Sequence, residues 1–263
     1  MRAAYALARR EVVRFLRQPS RIVGAFAPPL LAWLLLGAGF GASFRAPGGA
    51  SYLGWFFPGT VVLVVLFAAI FSTISVIEDR REGFLQAVVV SPASPLSVAA
   101  GKIAGGTLLA LAQGGVLLAL APLLGFAPSA AALAPALIVL ALVALALTGL
   151  GLAIAWMLES TQGFHAVMNL VLIPMWFLSG SFFPAEGAPA WLRAAMAANP
   201  LTYGVASLRR ALDPAAAAGP SATFSVVVTL AFALGAALAA AAVIARFPAG
   251  PDRPARPSRR KQP

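Results

Sequence analysis

The chain has 263 residues, of which 60% are hydrophobic and 10% are charged. A soluble domain usually carries about 25% charged residues, so this composition excludes an ordinary soluble domain and indicates a membrane protein. The sequence contains no cysteine, which excludes a disulfide framework and a thiolate metal site.

The formal net charge is +11, and a strongly basic chain raises the question of nucleic-acid binding. The basic residues, however, lie in segments that flank long apolar runs and in the C-terminal tail. This distribution is typical of a membrane topology signal. We therefore predict no nucleic-acid partner.

The first 21 residues are predicted to form a cytoplasmic helix that lies in the membrane interface, because they combine many arginines with an apolar side. The apolar side consists of Tyr5, Val12, Phe15 and Leu16. A signal peptide is the alternative, but the apolar run that follows is longer than the usual run of about 7–15 residues in such peptides.

Six apolar runs of membrane-spanning length follow, and they predict a transmembrane domain over residues 22–245. The predicted spans are 22–42, 54–77, 103–124, 131–158, 163–183 and 223–245. The remaining residues, 246–263, are rich in Pro and Arg and are predicted to be a solvated basic cytoplasmic tail without a core.

The orientation of these spans follows from the positions of the basic residues. Six spans place both termini on one side, and all but four of the 19 Lys and Arg residues fall on that side. The four on the other side are Arg45, Arg193, Arg209 and Arg210. Because cytoplasmic loops carry an excess of Lys and Arg, both termini are predicted to be cytoplasmic.

Residues 78–102 form the one charge-dense interval between two long apolar runs, and we predict a cytoplasmic loop there. Within it, Phe84, Leu85, Val88 and Val89 form an apolar stripe on a short helix. Ser91-Pro92 is predicted to end that helix, and Ser94-Pro95 to begin the next. A docking site for a partner and a connector resting on the membrane are equally compatible with this pattern.

Residues 184–222, between the fifth and sixth spans, are too apolar for a solvated loop. Two short helices, 188–198 and 201–212, are predicted there, separated by Asn199-Pro200. Neither is long enough to cross a bilayer. They are predicted to lie at the outer interface or to form a re-entrant pair, with Trp191 at interfacial depth.

No enzyme motif is found in the sequence, which holds a single histidine, His165. His165 and Glu159 are candidates for a proton relay, although simple bonding to neighbouring helices or water explains them as well. The Gly101-Lys102 pair lacks the Walker A spacing. We predict no catalytic residue, no metal site and no nucleotide site in this chain.

Two stretches resemble the permeases of ABC-2 type transporters. The loop at 78–102 is similar to the first cytoplasmic loop of that family, which has a charged start, a Gly, an apolar helix, a Pro-containing turn and a Gly-Lys. The corresponding residues here are Glu78, Arg80, Arg81, Glu82, Gly83, Phe84 to Val90, Pro92, Gly101 and Lys102.

The second stretch, from Pro174 to Arg209, is similar to the late signature of the same family. That signature has a Ser-Gly-x-x-x-Pro exit from span five, a Pro-x-Trp-Leu helix, and Asn-Pro-Leu-x-Tyr followed by Arg. The matching residues are Ser179, Gly180, Pro184, Pro189, Trp191, Leu192, Asn199, Pro200, Leu201, Tyr203 and Arg209.

The resemblance implies an all-α integral membrane protein with six transmembrane helices, an N-terminal interfacial helix and an outer re-entrant helix pair. It implies the permease subunit of an exporter in the bacterial inner membrane, with two copies of an ABC ATPase and a second permease copy as partners. A homodimer is expected, and pairing with a related permease is the alternative. ATP and Mg would be bound by the ATPase, and no cofactor by this chain.

The resemblance also implies roles for residues at both faces. The ATPase-coupling residues would be Glu78, Arg80, Arg81, Glu82, Gly83, Phe84, Leu85 and Val88. The outer re-entrant gate would consist of Pro184, Trp191, Asn199, Pro200, Tyr203 and Arg209.

The apolar spans suit a hydrophobic or amphipathic cargo such as a drug, a lipid or a lipid-linked glycan, but they also suit plain helix packing. A secondary transporter driven by an ion gradient is the alternative function, and it would require membrane-embedded acids. A membrane enzyme that acts on lipid is a third hypothesis. It would require a cluster of catalytic polar residues, which the sequence does not show.

Overall fold

The computed structural model describes residues 2–41, 51–85, 93–124, 126, 129–213 and 219–247. Within these ranges every regular element is helical. The predicted stripe residues Val88 and Val89, the predicted helix end at Ser91-Pro92 and the basic tail after Phe247 lie outside the described residues.

The nine α-helices found among the described residues are numbered here in chain order. Their bounds are α1 Arg2–Leu16, α2 Pro19–Phe40, α3 Tyr52–Arg81, α4 Pro95–Ala119, α5 Ala130–Met157, α6 Thr161–Trp176, α7 Ala190–Ala198, α8 Pro200–Leu212 and α9 Ala222–Arg246. Shorter helical turns occur at Ala121–Leu124, Phe177–Ser181 and Ala185–Gly187.

Six of these helices are long and apolar enough to cross a membrane, which confirms the six predicted spans. They are α2, α3, α4, α5, α6 with the turn that follows it, and α9. Residues 190–198 and 200–212 form the two short helices predicted between spans five and six. An all-helical membrane protein is therefore the observed fold class.

The third helix, α3, is the centre of the bundle and the most buried of the six spans. From Tyr52 to Ile77 it carries no charged side chain on any face, as expected of a membrane helix surrounded by others, and it packs against α2, α4, α5, α6 and α8. In addition to α3, α5 packs against α9, and a Cβ at Gly149 would lie 2.8 Å from the backbone of Ala236. Small residues allow such close helix contacts in membranes.

The N-terminal helix packs into the bundle through one face. Its buried residues are Leu7, Glu11 and Phe15, four positions apart, while Tyr5 and Leu16 are exposed. The predicted apolar side did not include Glu11, which accepts hydrogen bonds from Ser75 of α3 and Lys102 of α4. An interfacial position of α1 remains a prediction.

Candidate functional site

Helix α4 begins where the sequence predicts it. The Ser94 hydroxyl accepts a hydrogen bond from the Ser97 backbone N–H at 3.2 Å, and Pro95 occupies the first turn. Two turns later, α1 lies directly against the backbone of α4. A Cβ at Gly101 would lie 2.8 Å from the Ala4 carbonyl oxygen, and one at Gly105 would lie 2.9 Å from the Glu11 Cβ.

This close approach brings charged side chains from four helices together at one end of the bundle. On α3, Ser75, Glu78, Asp79 and Glu82 share one helix face because they are three, four and seven positions apart. We call the group the inner ion cluster. Its charged members are Arg10, Glu11, Arg14, Arg21, Glu78, Asp79, Glu82 and Lys102.

Asp79 is the centre of the inner ion cluster and is fully buried. Arg10 donates to both of its carboxylate oxygens, Nη2 to Oδ1 at 2.8 Å and Nη1 to Oδ2 at 3.0 Å. Arg14 donates to Oδ1 at 2.6 Å, and the Lys102 ammonium donates to Oδ2. Such two-pronged Arg–carboxylate contacts are among the strongest ion pairs in proteins.

Two further carboxylates extend the network. Glu11 accepts from Lys102 Nζ and from the Ser75 hydroxyl, both at 2.6 Å. Glu78 accepts from Arg14 at 2.9 Å and from Arg21 at 2.5 and 2.7 Å. Since Arg21 belongs to α2, these contacts connect the first three helices with α4.

Burial makes the inner ion cluster sensitive to the loss of a single member. Its four cations and four anions balance, and Glu11, Asp79 and Lys102 are each at most 5% exposed. Removing one partner of a buried pair typically costs about 3–5 kcal/mol, because the remaining charge is left uncompensated.

The pKa of Arg10 is set by two opposing effects. Burial alone would lower this pKa, but the hydrogen bond and the charge of Asp79 outweigh burial and raise it. Arg10 therefore stays cationic.

The predicted coupling residues continue directly from this cluster. Phe84 lies beneath the Arg10 guanidinium, 3.7 Å from it, and Leu85 is buried. Gly83 adopts φ +78°, the left-handed conformation that glycine supplies at the end of a helix. A contact of these residues with an ATPase remains a prediction, and Val88 lies outside the described residues.

Two other predicted coupling residues connect α3 to the end of α5. Arg80 donates to the carbonyls of Trp156 at 2.7 Å and Leu158 at 2.8 Å, which satisfies groups left free at a helix C-terminus. Arg81 Nε donates to the Glu159 carbonyl at 3.3 Å. Glu78, Arg80, Arg81 and Glu82 therefore all have partners within the chain.

A second arrangement of polar groups lies at the other end of α3. Here α6 loses regular helical geometry after Trp176, passes through a wide π-helical turn and reaches φ +74° at Gly180. In a membrane protein the carbonyls exposed by such a break require partners from within the protein. Side chains of α8 and its cap provide them.

We call these donors the outer latch, and they are Asn199, Thr202 and Arg209. Asn199 Nδ2 donates to the Met175 carbonyl at 2.6 Å, Thr202 Oγ1 to that of Leu178 at 3.2 Å, and Arg209 Nη2 to that of Gly180 at 2.8 Å. Asn199 also caps α8, since its Oδ1 accepts from the Leu201 N–H at 3.1 Å.

The outer latch brings several of the predicted gate residues together. Asn199 and Pro200 form the turn between α7 and α8, and the Tyr203 hydroxyl closes it by donating to the Ala197 carbonyl at 2.7 Å. Trp191 lies apart from the latch and is 71% exposed. Pro184 lines a small cavity beside Arg209. A gating role for any of them remains a prediction.

Arg209 is an unusually buried cation, at 5% exposure. Its guanidinium lies over the Trp55 ring, 3.7 Å from the ring centre, in a geometry that favours a cation. Burial lowers the pKa of Arg209 to about 10, with the negative charge of Glu186 acting in the opposite direction. Arg209 is therefore still positively charged at neutral pH.

Comparison with known proteins agrees with this geometry. The model of the ABC-2 type transporter family matches residues 2–212, which include both the inner ion cluster and the outer latch. The chain belongs to the ABC-2 type transporter family. The resemblance inferred from the loop and from the late signature is confirmed, and the chain is a multi-pass membrane protein of that transporter family.

Individual ABC-2 relatives are similar over most of their length. A putative transport permease ycf38 of Cyanophora paradoxa is 28% identical over 213 residues, covering 78% of this chain and 72% of the relative. Nodulation protein J of Rhizobium leguminosarum bv. trifolii is 30% identical over 190 residues, or 72% of each chain. The daunorubicin resistance ABC transporter permease protein DrrB1 of Streptomyces coeruleorubidus is 24% identical over 202 residues, covering 76% and 71%.

Sequence reasoning missed the core of the inner ion cluster in this ABC-2 chain. Glu11 and Asp79 were not singled out, and Lys102 was identified only as part of a Gly-Lys pair. A signal was present for Glu11, because it is the only acid among the basic residues of the first 21 positions. For Asp79 and Lys102, only the packing of α1 against α4 reveals that they meet.

The candidate proton-relay residues do not lie in either arrangement. His165 is exposed on α6, with its ring beside that of Phe164. Glu159 lies in the short connection between α5 and α6. Among the residues that the structure describes, no group of three or more His, Cys, Asp or Glu side chains is placed to hold a metal ion.

Proposed function

We propose that the chain is the transmembrane permease subunit of an ATP-binding cassette exporter that moves a hydrophobic or amphipathic substrate outward. ATP would be hydrolysed by a separate ATPase, which would bind the nucleotide and Mg, so this subunit itself is not an enzyme. Two ATPase copies and a second permease copy, identical to this one, would complete the transporter.

The observation that carries this proposal is the inner ion cluster. The segment Glu82–Leu85 leaves α3 directly beside Asp79, and Phe84 packs against Arg10 of α1. A partner that pulls on this segment would therefore pull on α1, α3 and α4 together, because ion pairs connect the three helices. Such a connection would allow a movement of the cytoplasmic ATPase to be transmitted to the membrane-spanning helices.

In this mechanism the exporter alternates between two states, and ATP binding shifts their populations through different contacts with the ATPase. The Glu82–Leu85 segment would transmit the shift, and the helices bonded through the inner ion cluster would move as one unit. The outer latch would hold the exit closed until the bundle rearranges.

The name of one relative supports outward transport, since it is a drug-resistance ABC transporter permease. The distribution of Lys and Arg supports cytoplasmic termini, in a bacterial inner membrane. The spans offer mainly apolar and aromatic surface, so the substrate would be a drug, a lipid or a lipid-linked glycan.

The first experiment is co-purification of this chain with candidate ABC ATPases from the same genome, followed by ATPase assays in liposomes. We expect a stable complex whose ATPase rate depends on the permease. The test variant is Phe84→Asp, in which the new carboxylate lies near the Arg10 guanidinium and can pair with it. We expect it to weaken the complex and to uncouple transport.

A matched control is Phe224→Asp, which introduces the same charge on the exposed face of the first turn of α9, near the outer latch. This control should retain ATPase association. Equal loss with both variants, or no loss with either, would show that Phe84 is not part of the coupling surface.

Ion-gradient-driven transport remains the alternative that the same experiment tests. The buried carboxylates Glu11 and Asp79 are each paired with cations rather than available for ion exchange. Transport in liposomes that responds to an imposed proton gradient, and needs no ATPase, would establish this alternative and refute the exporter proposal.

A further inference from the structure

One face of α1 is not covered by any described part of the chain. The opposite face, which contains Leu7, Glu11 and Phe15, is buried against the bundle. Along the uncovered face, exposed residues three or four positions apart form one stripe. We call it the α1 stripe, and it consists of Arg2, Tyr5, Arg9, Val13, Leu16 and, directly after the helix, Arg17.

The arginines near the N-terminus fall into two groups. The first group pairs with carboxylates of the inner ion cluster and consists of Arg10, Arg14 and Arg21. The second group, Arg2, Arg9 and Arg17, is exposed and has no ion-pair partner among the described residues. Because the charges of the inner ion cluster balance, the α1 stripe carries the net positive charge of this region.

Contact with water alone would suit the arginines of the α1 stripe but not its apolar side chains. Tyr5 is 72% exposed and Leu16 is 63% exposed, and both lie between arginines of the stripe. A helix that alternates cations with large apolar side chains in this way suits the boundary between the headgroups and the acyl chains of a bilayer.

The connection to the first span brings the α1 stripe to the same boundary. Helix α2 begins at Pro19, three residues after the end of α1, and is the first of the six membrane-length helices. A chain that enters the bilayer there holds Leu16 and Arg17 at the bilayer surface. An open cleft of about 430 Å³ lies at this point, and it is lined by Arg10, Val13, Arg14, Arg17 and Gln18. None of these lining residues is acidic.

We propose that the α1 stripe and this cleft bind the headgroups of anionic phospholipids, with Arg9 and Arg17 as the phosphate-binding residues. Guanidinium groups suit phosphate oxygens, and a leaflet that contains anionic lipid attracts exposed arginines near its surface. Tyr5 and Leu16 enter the boundary with the acyl chains. The proposal rests on the membrane orientation given in the proposed function, but it requires neither an ATPase nor transport.

The test uses a single fluorophore on the α1 stripe, which is possible because the chain contains no cysteine. Full-length chain with Leu16→Cys is labelled with an environment-sensitive dye and reconstituted in nanodiscs of phosphatidylcholine with a minority of phosphatidylglycerol. Brominated acyl chains, which quench a nearby dye, are carried either by the phosphatidylglycerol or by an equal amount of phosphatidylcholine. We expect several-fold stronger quenching by the brominated phosphatidylglycerol, and a smaller preference at high salt.

The double variant Arg9→Gln and Arg17→Gln should abolish this preference, and both sites are exposed and unpaired, so the fold should be retained. The matched control is Arg193→Gln, which removes an exposed cation from α7 and should leave the preference unchanged. Equal quenching by the two lipids, or a preference that survives the double variant, would overturn the proposal.

Quenching by neither lipid would also overturn it, and would indicate that the α1 stripe faces water or a protein partner. These measurements contain no ATPase. Failure of lipid selectivity is therefore distinguishable from failure of the exporter proposal, which the co-purification and ATPase assays measure separately.

Discussion

The two ends of α3 are stabilised by different chemistry. At one end, the inner ion cluster joins side chains of four helices through buried ion pairs. At the other end, the outer latch uses side chains of α8 to satisfy carbonyls of the broken helix α6. Trp55 and Asp79 are 24 positions apart in one helix, or roughly 36 Å at 1.5 Å per residue. This distance is comparable to the bilayer core of about 30 Å.

The difference indicates how each end can move. An ion cluster is strongly destabilised when one of its buried charges is removed, because each buried charge neutralises several others. Hydrogen bonds to backbone carbonyls are individually weaker and can be exchanged for other donors, including water. We therefore expect the inner end to move as a rigid unit and the outer end to open and close locally.

The largest predicted effect is that of Asp79→Ala. It removes the anion shared by Arg10, Arg14 and Lys102, and we expect a loss of about 3–5 kcal/mol in stability. Thermal unfolding in detergent measures it. The control is Glu82→Gln, whose side chain is 60% exposed, and the expected loss is below about 1 kcal/mol. Similar losses for both variants would mean that the cluster is not cooperative.

A double-mutant cycle on Glu11 and Lys102 tests the same cooperativity. Glu11→Gln leaves Lys102 with Asp79 as its remaining ion-pair partner, and Lys102→Met removes the buried cation that neutralises Glu11, so each single variant should be clearly destabilised. The double variant removes both charges, and its loss should fall short of the sum of the single losses by about 0.5–3 kcal/mol. Additive losses, measured by unfolding midpoints, would contradict direct coupling of the pair.

Gly101→Ala tests the packing that assembles the inner ion cluster. The new methyl group would lie 2.8 Å from the Ala4 carbonyl oxygen, so α1 must shift away from α4, at a cost of about 1–3 kcal/mol. Hydrogen exchange of α1 should then be faster. Gly235→Ala is the control, because its Cβ meets nothing within 4 Å among the described residues. It should be neutral or slightly stabilising, by up to about 1 kcal/mol.

The smallest effect is expected at the outer latch. Asn199→Ala removes a helix cap and the bond to the Met175 carbonyl, for a cost of about 1–2 kcal/mol. Asn199→Ser retains a side-chain oxygen that can cap α8 and removes the amide donor without adding a charge, so it should recover part of that cost. Hydrogen exchange should rise near residues 175–181 and remain unchanged in α1. A change that reaches α1 would show that the two ends are coupled in the resting state.

The sequence determined the elements of this protein and its family. Apolar run length predicted six spans, Ser94-Pro95 predicted the start of α4, and Asn199-Pro200 predicted the break between α7 and α8. These are local properties, because helix length and capping depend on neighbouring residues. The loop and late-signature motifs led to the ABC-2 type transporter family.

Only the tertiary structure decided which polar groups meet. Glu11 and Asp79 are far apart in the sequence, and although Glu11 is the only acid of a basic segment, nothing in the local pattern of α1 identifies Lys102 of α4 as its partner. Their meeting depends on Gly101 and Gly105, which let α1 approach the backbone of α4. In the same way, the donors of the outer latch find carbonyl acceptors only because α6 breaks beside them. The sequence shows which polar groups require partners, whereas the packing of the helices determines which groups they contact.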